Sequence, residues 1–386
     1  MLMISSLHSP RRARRILMPV AGAAALVAAL VAVPGAASAD PDYTVVATGL
    51  NNPRHLSVGP GNALFVAEAG AGGDGPCMVG AEGAPVCFGL SGSVTRVDVK
   101  NGTQERVLTG LPSLGGVETS ESPAGAQATG PQDVVTQGAK RLVFTIGLGN
   151  DPAVRDTHPE LADMGTLRSA TIGSSQTSLI ADIAQHEVDF NVVDTVDSNP
   201  DGFTSLGSGW AVADAGGNTL VQVSKQGEMD TIAAFQDQLV LAPPFLELPP
   251  GTQIPYQAVP TSAVSGPGGA LYVSQLTGFP FTKGAANIYK VDKNGDTTVY
   301  ASGLTNVTDL AFGPGNVLYA VQISTEGLLG GPIGSVVAIP AGGGTPTVVE
   351  AGLFAPYGIA IQGTTAYVTT GSVAPGIGQV IAIPLH

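Results

Sequence analysis

Four acidic side chains occupy recurring positions along the chain. Each falls at one of two equivalent places in an internal repeat, and they are Glu68, Asp133, Asp214 and Asp309. Arg54 and His55 stand where Thr308 and Asp309 stand in another copy. Carboxylate oxygens gathered around one point suit a hard cation such as Ca²⁺, which takes oxygen ligands. The four carboxylates therefore predict a candidate Ca²⁺ site, with Arg54 and His55 beside it. The competing interpretation is that these side chains cap strand ends and bond neighbouring backbone.

The same two repeat positions hold further polar residues. The first position comprises the residue pairs 54–55, 132–133, 201–202, 261–262, 308–309 and 357–358. The second comprises Glu68, Ile146, Asp214, Gln275, Gln322 and Thr370. From both sets we predict the ligand-binding residues Arg54, His55, Glu68, Asp133, Asp214, Gln275, Asp309 and Gln322. No catalytic residue is predicted, because the sequence contains no Gly-x-Ser-x-Gly, His-Glu-x-x-His or Walker motif.

The internal repeat specifies the elements that position these residues. Residues 49–66 and 303–320 align without a gap, and both contain Gly-Leu, Gly-Pro-Gly-Asn and a closing apolar run. Residues 259–273 keep the same frame with Gly-Pro-Gly-Gly. Weaker copies begin at Pro131, Pro200 and Pro356. Self-similarity of this kind is typical of proteins built from repeated structural units.

Each copy continues into short strands joined by tight turns. Asn101-Gly102 and Asn294-Gly295 are the dipeptides that favour a β-hairpin between such strands. Four strands per copy and six copies predict an all-β fold, a six-bladed β-propeller with four-stranded antiparallel blades. The last copy lacks a fourth strand, and residues 43–50 match the missing strand. We therefore expect the N-terminal strand to close the last blade and so protect its strand edges.

Long insertions occur at two kinds of connection. They follow the second strand of a blade or fall between blades, at residues 70–92, 112–130, 147–164, 236–258, 275–286, 322–334 and 370–378. Both kinds of connection emerge on one face of an antiparallel propeller, which we call the loop face. Binding residues usually lie on loops held by a rigid scaffold. The insertions therefore predict that a small molecule or a protein partner binds at the loop face.

Composition restricts the class of partner. The 386 residues include 44% hydrophobic and 12% charged side chains, and the formal net charge is −14. Without the first 39 residues, which hold four arginines and no acid, the net charge is −18. A surface this acidic repels nucleic acid and anionic lipid. We expect no nucleic-acid partner, and we expect a monomer.

Residues 1–39 have the three parts of a secretory signal peptide. Arginines at 11–15 precede the apolar run 16–33, and the small residues Ala37-Ser38-Ala39 stand before Asp40. The pattern predicts cleavage after Ala39, an extracellular protein free of the membrane, and one propeller domain over residues 40–386. An uncleaved N-terminal anchor is the alternative, because the apolar run is long.

Two cysteines, Cys77 and Cys87, lie close together in the Gly-rich segment 70–92. An exported chain reaches an environment where disulfides persist. The spacing predicts a bond between them that staples a loop, with a stabilisation of about 2–3 kcal/mol. A metal site is disfavoured, because the segment has no Cys-x-x-Cys and no neighbouring histidine.

Three stretches resemble one particular group of propellers. They are residues 147–155, 199–218 and 258–281, the last of which contains Leu-Thr-Gly-Phe-Pro-Phe. Together they are similar to the ScyD/ScyE-type family of exported bacterial β-propeller proteins, with a distant likeness to NHL-type and gluconolactonase-type propellers. The resemblance implies a six-bladed propeller and supplies no catalytic residues to carry over.

Two functions lead from the sequence, and a quinone-dependent dehydrogenase is a weaker third because histidine and arginine are scarce at the predicted axial positions. The first is a non-enzymatic extracellular protein that binds a ligand or partner on its loop face. The second is a lactonase-like hydrolase, in which a divalent cation held by the axial carboxylates polarises a carbonyl or activates water. The first rests on the missing catalytic motifs and the long loops, and the second rests on the recurring carboxylates.

Overall fold

The computed structural model describes residues 42–80, 83–193 and 195–385. The predicted signal segment 1–39 and its cleavage point lie outside these residues. Within them, no helix has the length and apolar character needed to cross a bilayer.

The first half of the chain forms the N-terminal strand and three blades. The first strand of each blade lies nearest the axis, and later strands lie further out. The N-terminal strand is β1 (Thr44–Leu50). Blade 1 consists of β2 (Pro53–Val58), β3 (Leu64–Glu68), β4 (Cys77–Val79), β5 (Pro85–Asp98) and β6 (Thr103–Gly116). Blade 2 consists of β7 (Pro131–Gln137), β8 (Arg141–Ile146), β9 (Thr166–Thr171) and β10 (Thr177–Asp182). Blade 3 consists of β11 (Pro200–Leu206), β12 (Gly209–Asp214), β13 (Thr219–Val223) and β14 (Met229–Ala234).

The second half forms a separate hairpin and three more blades. The hairpin pairs β15 (Gln238–Leu241) with β16 (Gln253–Tyr256). Blade 4 consists of β17 (Pro260–Ser265), β18 (Leu271–Gln275), β19 (Ala286–Val291) and β20 (Thr297–Leu304). Blade 5 consists of β21 (Val307–Phe312), β22 (Leu318–Gln322), β23 (Ile333–Ile339) and β24 (Thr347–Phe354). Blade 6 consists of β25 (Ile359–Gln362), β26 (Thr365–Thr370) and β27 (Gly378–Pro384), completed by β1.

In the part of the chain that the structure describes, helices are short and lie between strands. The α-helices are α1 (Val154–Thr157) and α2 (Ile183–Phe190). Single 3₁₀ turns lie at Pro60–Asn62, Pro159–Leu161, Pro244–Leu246, Pro267–Gly269, Pro314–Asn316 and Leu328–Gly330. In three of these turns the residue after Pro is a glycine with φ between 69° and 75°, a left-handed conformation that glycine adopts without steric cost. The repeated Gly-Pro-Gly motif thus makes the same turn between the first and second strands of blades 1, 4 and 5.

The ring is closed by the N-terminal strand, as predicted. β1 pairs antiparallel with β27, with Thr44 opposite Ala382 and Leu50 opposite Gly378. Six blades and this closure confirm the expected β-propeller. The predicted disulfide is also confirmed, and it joins Cys77 of β4 to Cys87 of β5 at directly opposed positions.

The apolar core is divided into six clusters, one in each gap between neighbouring blades. Between blades 2 and 3, for example, Phe203 and Trp210 pack with Leu167 and with Ile183 of α2. Each blade therefore buries both of its faces, which explains why second strands such as β3, β18 and β22 are buried along their whole length. Two features were not expected from the sequence, namely α2 and the hairpin within residues 236–258.

Candidate functional site

The innermost strands bring charged side chains together at the propeller axis. His55 of β2 lies between two carboxylates, with Nε2 3.0 Å from Asp201 Oδ1 and Nδ1 3.0 Å from Asp309 Oδ2. The three residues come from blades 1, 3 and 5, so the histidine reaches across the opening. None of them is more than 5% exposed, and the contacts therefore close the axis rather than line an open channel.

Tyr357 and Arg54 complete this group, which we call the axial cluster (Arg54, His55, Asp201, Asp309 and Tyr357). The Tyr357 hydroxyl donates a hydrogen bond of 2.6 Å to Asp201 Oδ2. The Arg54 guanidinium lies 4.7 Å from the centre of the Tyr357 ring and donates to the Ala128 carbonyl. The cation–π contact joins Arg54 of blade 1 to Tyr357, which precedes the inner strand of blade 6. The hydrogen bond joins Arg54 to the segment that leads into blade 2.

Asp133 and Asp309 have the same role in their two blades. Asp133 accepts hydrogen bonds from the backbone N–H groups of Val134 and Phe203, at 2.7 and 2.9 Å. Asp309 accepts from Leu310 and Ile359, both at 2.7 Å. In each case the second donor, Phe203 or Ile359, belongs to the inner strand of the following blade. The two carboxylates therefore tie blade 2 to blade 3 and blade 5 to blade 6.

The electrostatics favour a charged histidine. Burial alone would lower the pKa of His55, but Asp309 and Asp201 together raise it well above its ordinary value. Burial and the neighbouring Asp201 raise the pKa of Tyr357 well above 10, so its hydroxyl remains a donor. Burial also raises the pKa of Asp133 to about 6. The axial cluster is thus an internally neutralised ion-pair network, and its hydrogen bonds hold the blades in place.

The second set of predicted residues lies at the ends of the second strands and bonds the backbone there. Glu68 Oε2 accepts from Asn51 N–H at 2.7 Å, and Gln322 Oε1 accepts from Thr305 N–H at 2.7 Å. Asp214 Oδ1 accepts from Asn199 N–H at 2.6 Å. In all three blades the donor belongs to the segment that enters the inner strand. These side chains therefore fix the entry of each inner strand.

Glu68 and Gln275 have further partners beside them. Glu68 is fully buried, pairs with Arg106 at 2.8 Å and accepts a hydrogen bond from Ser93. Gln275 Oε1 accepts from the backbone and side-chain N–H groups of Asn287, at 2.9 and 3.1 Å. Neither residue makes a described contact with the axial cluster.

The candidate Ca²⁺ site at Glu68, Asp133, Asp214 and Asp309 is divided among these separate environments. Asp133 and Asp309 lie at the inner strands, whereas Glu68 and Asp214 hold strand entries in blades 1 and 3. Among the described residues, no group of three or more His, Cys, Asp or Glu side chains is arranged around a metal position. The structure thus offers no specific observation in favour of the cation-dependent hydrolase.

Sequence reasoning did not select Asp201 and Tyr357, although both were expected near the axis. Asp201 belongs to Asn-Pro-Asp-Gly, which is typical of a turn. The available signal was its repeat position, which is that of Arg54, Thr308 and Tyr357. Pairing between blades 1, 3 and 5 depends on the ring geometry, so no local pattern revealed it.

The loop face carries an aromatic group of one exposed ring and two half-buried rings, which we call the aromatic patch (Phe245, Phe279 and Phe281). The rings pack edge to face, with centroids 6.2 Å apart for Phe245–Phe279 and 6.4 Å for Phe279–Phe281. Phe245 is 62% exposed. Leu239 and Leu241, in the adjoining hairpin, are exposed to a similar extent. The patch joins the inter-blade hairpin to the insertion that follows the second strand of blade 4.

A hydrogen-bonded backbone fixes this insertion. The N–H groups of Leu276, Thr277 and Gly278 donate to the carbonyls of residues 257–259, at 2.9–3.1 Å. The Asn306 side chain donates to the Leu276 carbonyl at 2.6 Å. Thr277 has a φ of 71°, which is costly for a β-branched residue and persists only where surrounding contacts enforce it. The patch is therefore presented by a rigid segment.

No protein-family model matches the chain, and no curated protein matches its sequence. Among solved structures, a virginiamycin B lyase from Staphylococcus aureus is 11% identical, covers 89% of this chain and 99% of its own, and has a TM-score of 0.46. A gluconolactonase from Xanthomonas campestris is 13% identical, covers 72% and 80% of the two chains, and has a TM-score of 0.41. A protein from a Thermus species, provisionally named a glucose dehydrogenase, is 15% identical, covers 88% and 98%, and has a TM-score of 0.48. With identities and TM-scores this low, these likenesses transfer no activity to this chain.

Proposed function

We propose that this chain is an exported binding protein that takes up an apolar or aromatic group of a ligand or partner on its loop face. The observation that carries the proposal is the aromatic patch with its exposed leucines. Soluble proteins seldom expose contiguous apolar groups without a binding role. Phe279 and Phe281 stand on a rigid loop and pack against Phe245, so little ordering cost would oppose binding.

The polar axis supports the same assignment. The axial cluster is buried and its charges neutralise one another, so its histidine is engaged at both ring nitrogens. A general base needs a free nitrogen within reach of its substrate. Recognition at the loops is therefore favoured over acid–base chemistry at the axis.

Nile red, a neutral hydrophobic dye, tests the patch directly. We expect saturable fluorescence enhancement with the wild-type chain, and at least about tenfold weaker binding for Phe245→Ser combined with Leu241→Ser, because the removed side chains supply the apolar contact. The matched control is Val348→Ser, which changes an equally exposed apolar residue on the outer strand of blade 5. Equal dye binding by all three proteins would refute the assignment of the loop face.

Export is part of the same proposal. The Cys77–Cys87 disulfide supports it, since such bonds persist outside the reducing cytoplasm. N-terminal sequencing of the protein recovered from culture medium should begin at Asp40. Membership of the ScyD/ScyE-type group belongs to this proposal as well. Recovery of the chain in the membrane fraction with residues 1–39 attached would instead establish an anchored protein.

A further inference from the structure

A second buried pair of acids lies away from the axis, where α2 meets blade 3. Glu187 of α2 is only 3% exposed, and its Oε1 has no hydrogen-bond partner. Asp214, at the end of β12, is fully buried. We call Glu187 and Asp214 the acidic pair. An unpartnered carboxylate oxygen in a buried position is costly unless something else satisfies it.

Gly217 makes room between the two carboxylates. A Cβ on this residue would lie 2.7 Å from Glu187 Oε2 and 3.0 Å from Asp214 Oδ2. Gly217 has no positive φ, so its backbone conformation does not demand glycine. Because Gly217 has no side chain, Glu187 Oε2 and Asp214 Oδ2 both come close to its Cα and so face the same point of the backbone.

The surroundings add negative charge and no free cation. Burial, then Asp214 and Asp197, raise the pKa of Glu187 to about 8. The arginines of this region are already engaged, with Arg155 bound to Asp182 and Arg168 bound to Asp163, both at 2.9 Å. His186, next to Glu187, is held by Thr231 at 2.9 Å. The acidic pair therefore lacks the internal counter-charge that His55 supplies at the axis.

We propose that a single Ca²⁺ ion binds between Glu187 and Asp214. Both contribute oxygen atoms, which is the ligand type that Ca²⁺ takes, and no imidazole or thiolate faces the space to favour zinc. Two carboxylates are fewer than a high-affinity site uses, and main-chain and water oxygens complete the shell. The expected dissociation constant is about 10⁻⁴ to 10⁻³ M, the range of extracellular calcium modules.

The site would fix α2 on blade 3. Ile183 of the same helix packs in the apolar cluster that contains Trp210, so α2 already belongs to the core at one end. Neutralising Glu187 would secure the other end of the helix. The acidic pair shares no residue with the aromatic patch, so failure of either proposal leaves the other standing.

Calorimetric titration of the purified chain with CaCl₂ tests the site, at a pH of about 9 so that Glu187, with its pKa raised to about 8, is ionised. We expect one saturable site in the wild type, and at least about tenfold weaker binding for Glu187→Gln, which keeps the shape and removes the charge. Asp189→Asn is the matched control, because it removes an exposed acid from the same helix. That variant should bind Ca²⁺ as the wild type does. Gly217→Ala, which retains both carboxylates and places a methyl group against both of them, should also weaken binding.

Three results would overturn the proposal. They are an absence of saturable binding to the wild type, unchanged affinity in Glu187→Gln, and an equal loss in Asp189→Asn. Circular dichroism verifies that each variant is folded before titration. If Glu187→Gln fails that check, Gly217→Ala decides the outcome by itself.

Discussion

The axial cluster and the acidic pair both contain buried carboxyl groups. They differ in how far the chain itself compensates the charge of those groups. At the axis, Asp201 and Asp309 share the imidazole of His55, and Tyr357 donates a further hydrogen bond. Between α2 and blade 3, Glu187 and Asp214 both approach Gly217, and the pKa of Glu187 is raised by burial and by two acids, Asp214 and Asp197. The first group is complete within the chain. In the second, hydrogen bonds from Ser198, Asn199 and Gly217 satisfy Asp214, whereas Glu187 requires a proton or a cation from solution.

The difference shows that the number of carboxylates does not by itself indicate a metal site. What matters is whether the fold supplies the compensating charge, because an isolated buried charge is far more costly than a paired one. The recurring acids that first suggested Ca²⁺ are largely satisfied by backbone N–H groups and by His55. Glu187, which stands outside the repeat, has a buried carboxylate oxygen that is left without a partner.

The largest expected effect follows from removal of the axial cation. His55→Ala leaves two buried carboxylates without their counter-charge, and we expect the free energy of unfolding to fall by about 3–5 kcal/mol. Urea denaturation measures the loss. His158→Ala is the control, because His158 and Glu160 are each about a quarter exposed, and its pair should be worth about 1 kcal/mol or less. Similar losses in the two variants would remove the distinction between buried and exposed pairs.

A second effect tests how closely the inner strands approach one another. At Gly358 an added Cβ would lie 2.6 Å from the Arg54 carbonyl oxygen and 2.7 Å from His55 Cα, both of which are backbone atoms. We expect Gly358→Ala to cost about 1–3 kcal/mol in thermal unfolding, because backbone atoms cannot turn aside. A cost near zero would mean that the axial strands can separate without breaking the ion-pair network.

The stability should also depend on pH through His55. Its pKa in the folded chain is raised above the ordinary value of 6.5, so its contribution is complete below that pH and is lost as the pH rises through the folded value. Between pH 7.5 and 9 we expect the free energy of unfolding to decrease by at most about 1.4 kcal/mol per pH unit. Urea titrations of wild type and His55→Gln compare the slopes. If the free energy of unfolding falls with pH at the same rate in wild type and His55→Gln, an ionised histidine at the axis is contradicted.

The smallest expected change in stability is at Gly217, where the same kind of substitution meets only side-chain tips. Glu187 Oε2 can move away from an added Cβ, so Gly217→Ala should change the free energy of unfolding by no more than about 0.5 kcal/mol. The acidic pair would nevertheless be forced apart. Thermal unfolding with and without Ca²⁺ should therefore show stabilisation by the ion in the wild type and little in the variant. A strong destabilisation without Ca²⁺ would show that the acidic pair is packed as rigidly as the axis.

The sequence determined the fold because its signals are local and are repeated six times. The Gly-Pro-Gly turns recur with one backbone conformation, and residues 43–50 match a missing outer strand, so β1 could be assigned to blade 6. The Cys77–Cys87 bond was likewise given by spacing. These features need no knowledge of which blades face one another.

The tertiary structure alone decided what the polar residues do. Asp201 looked like a turn residue, and its pairing with His55 spans 146 positions of sequence and joins blade 3 to blade 1 across the axis. Glu187 lies on a helix outside the repeat, and its approach to Asp214 depends on the space above Gly217. Strand periodicity and turns are fixed by neighbours in the chain, whereas charge compensation depends on which distant side chains the closed ring brings within about 3 Å. For that reason the architecture could be predicted from this sequence, and the division of its acids between structural and candidate binding roles could not.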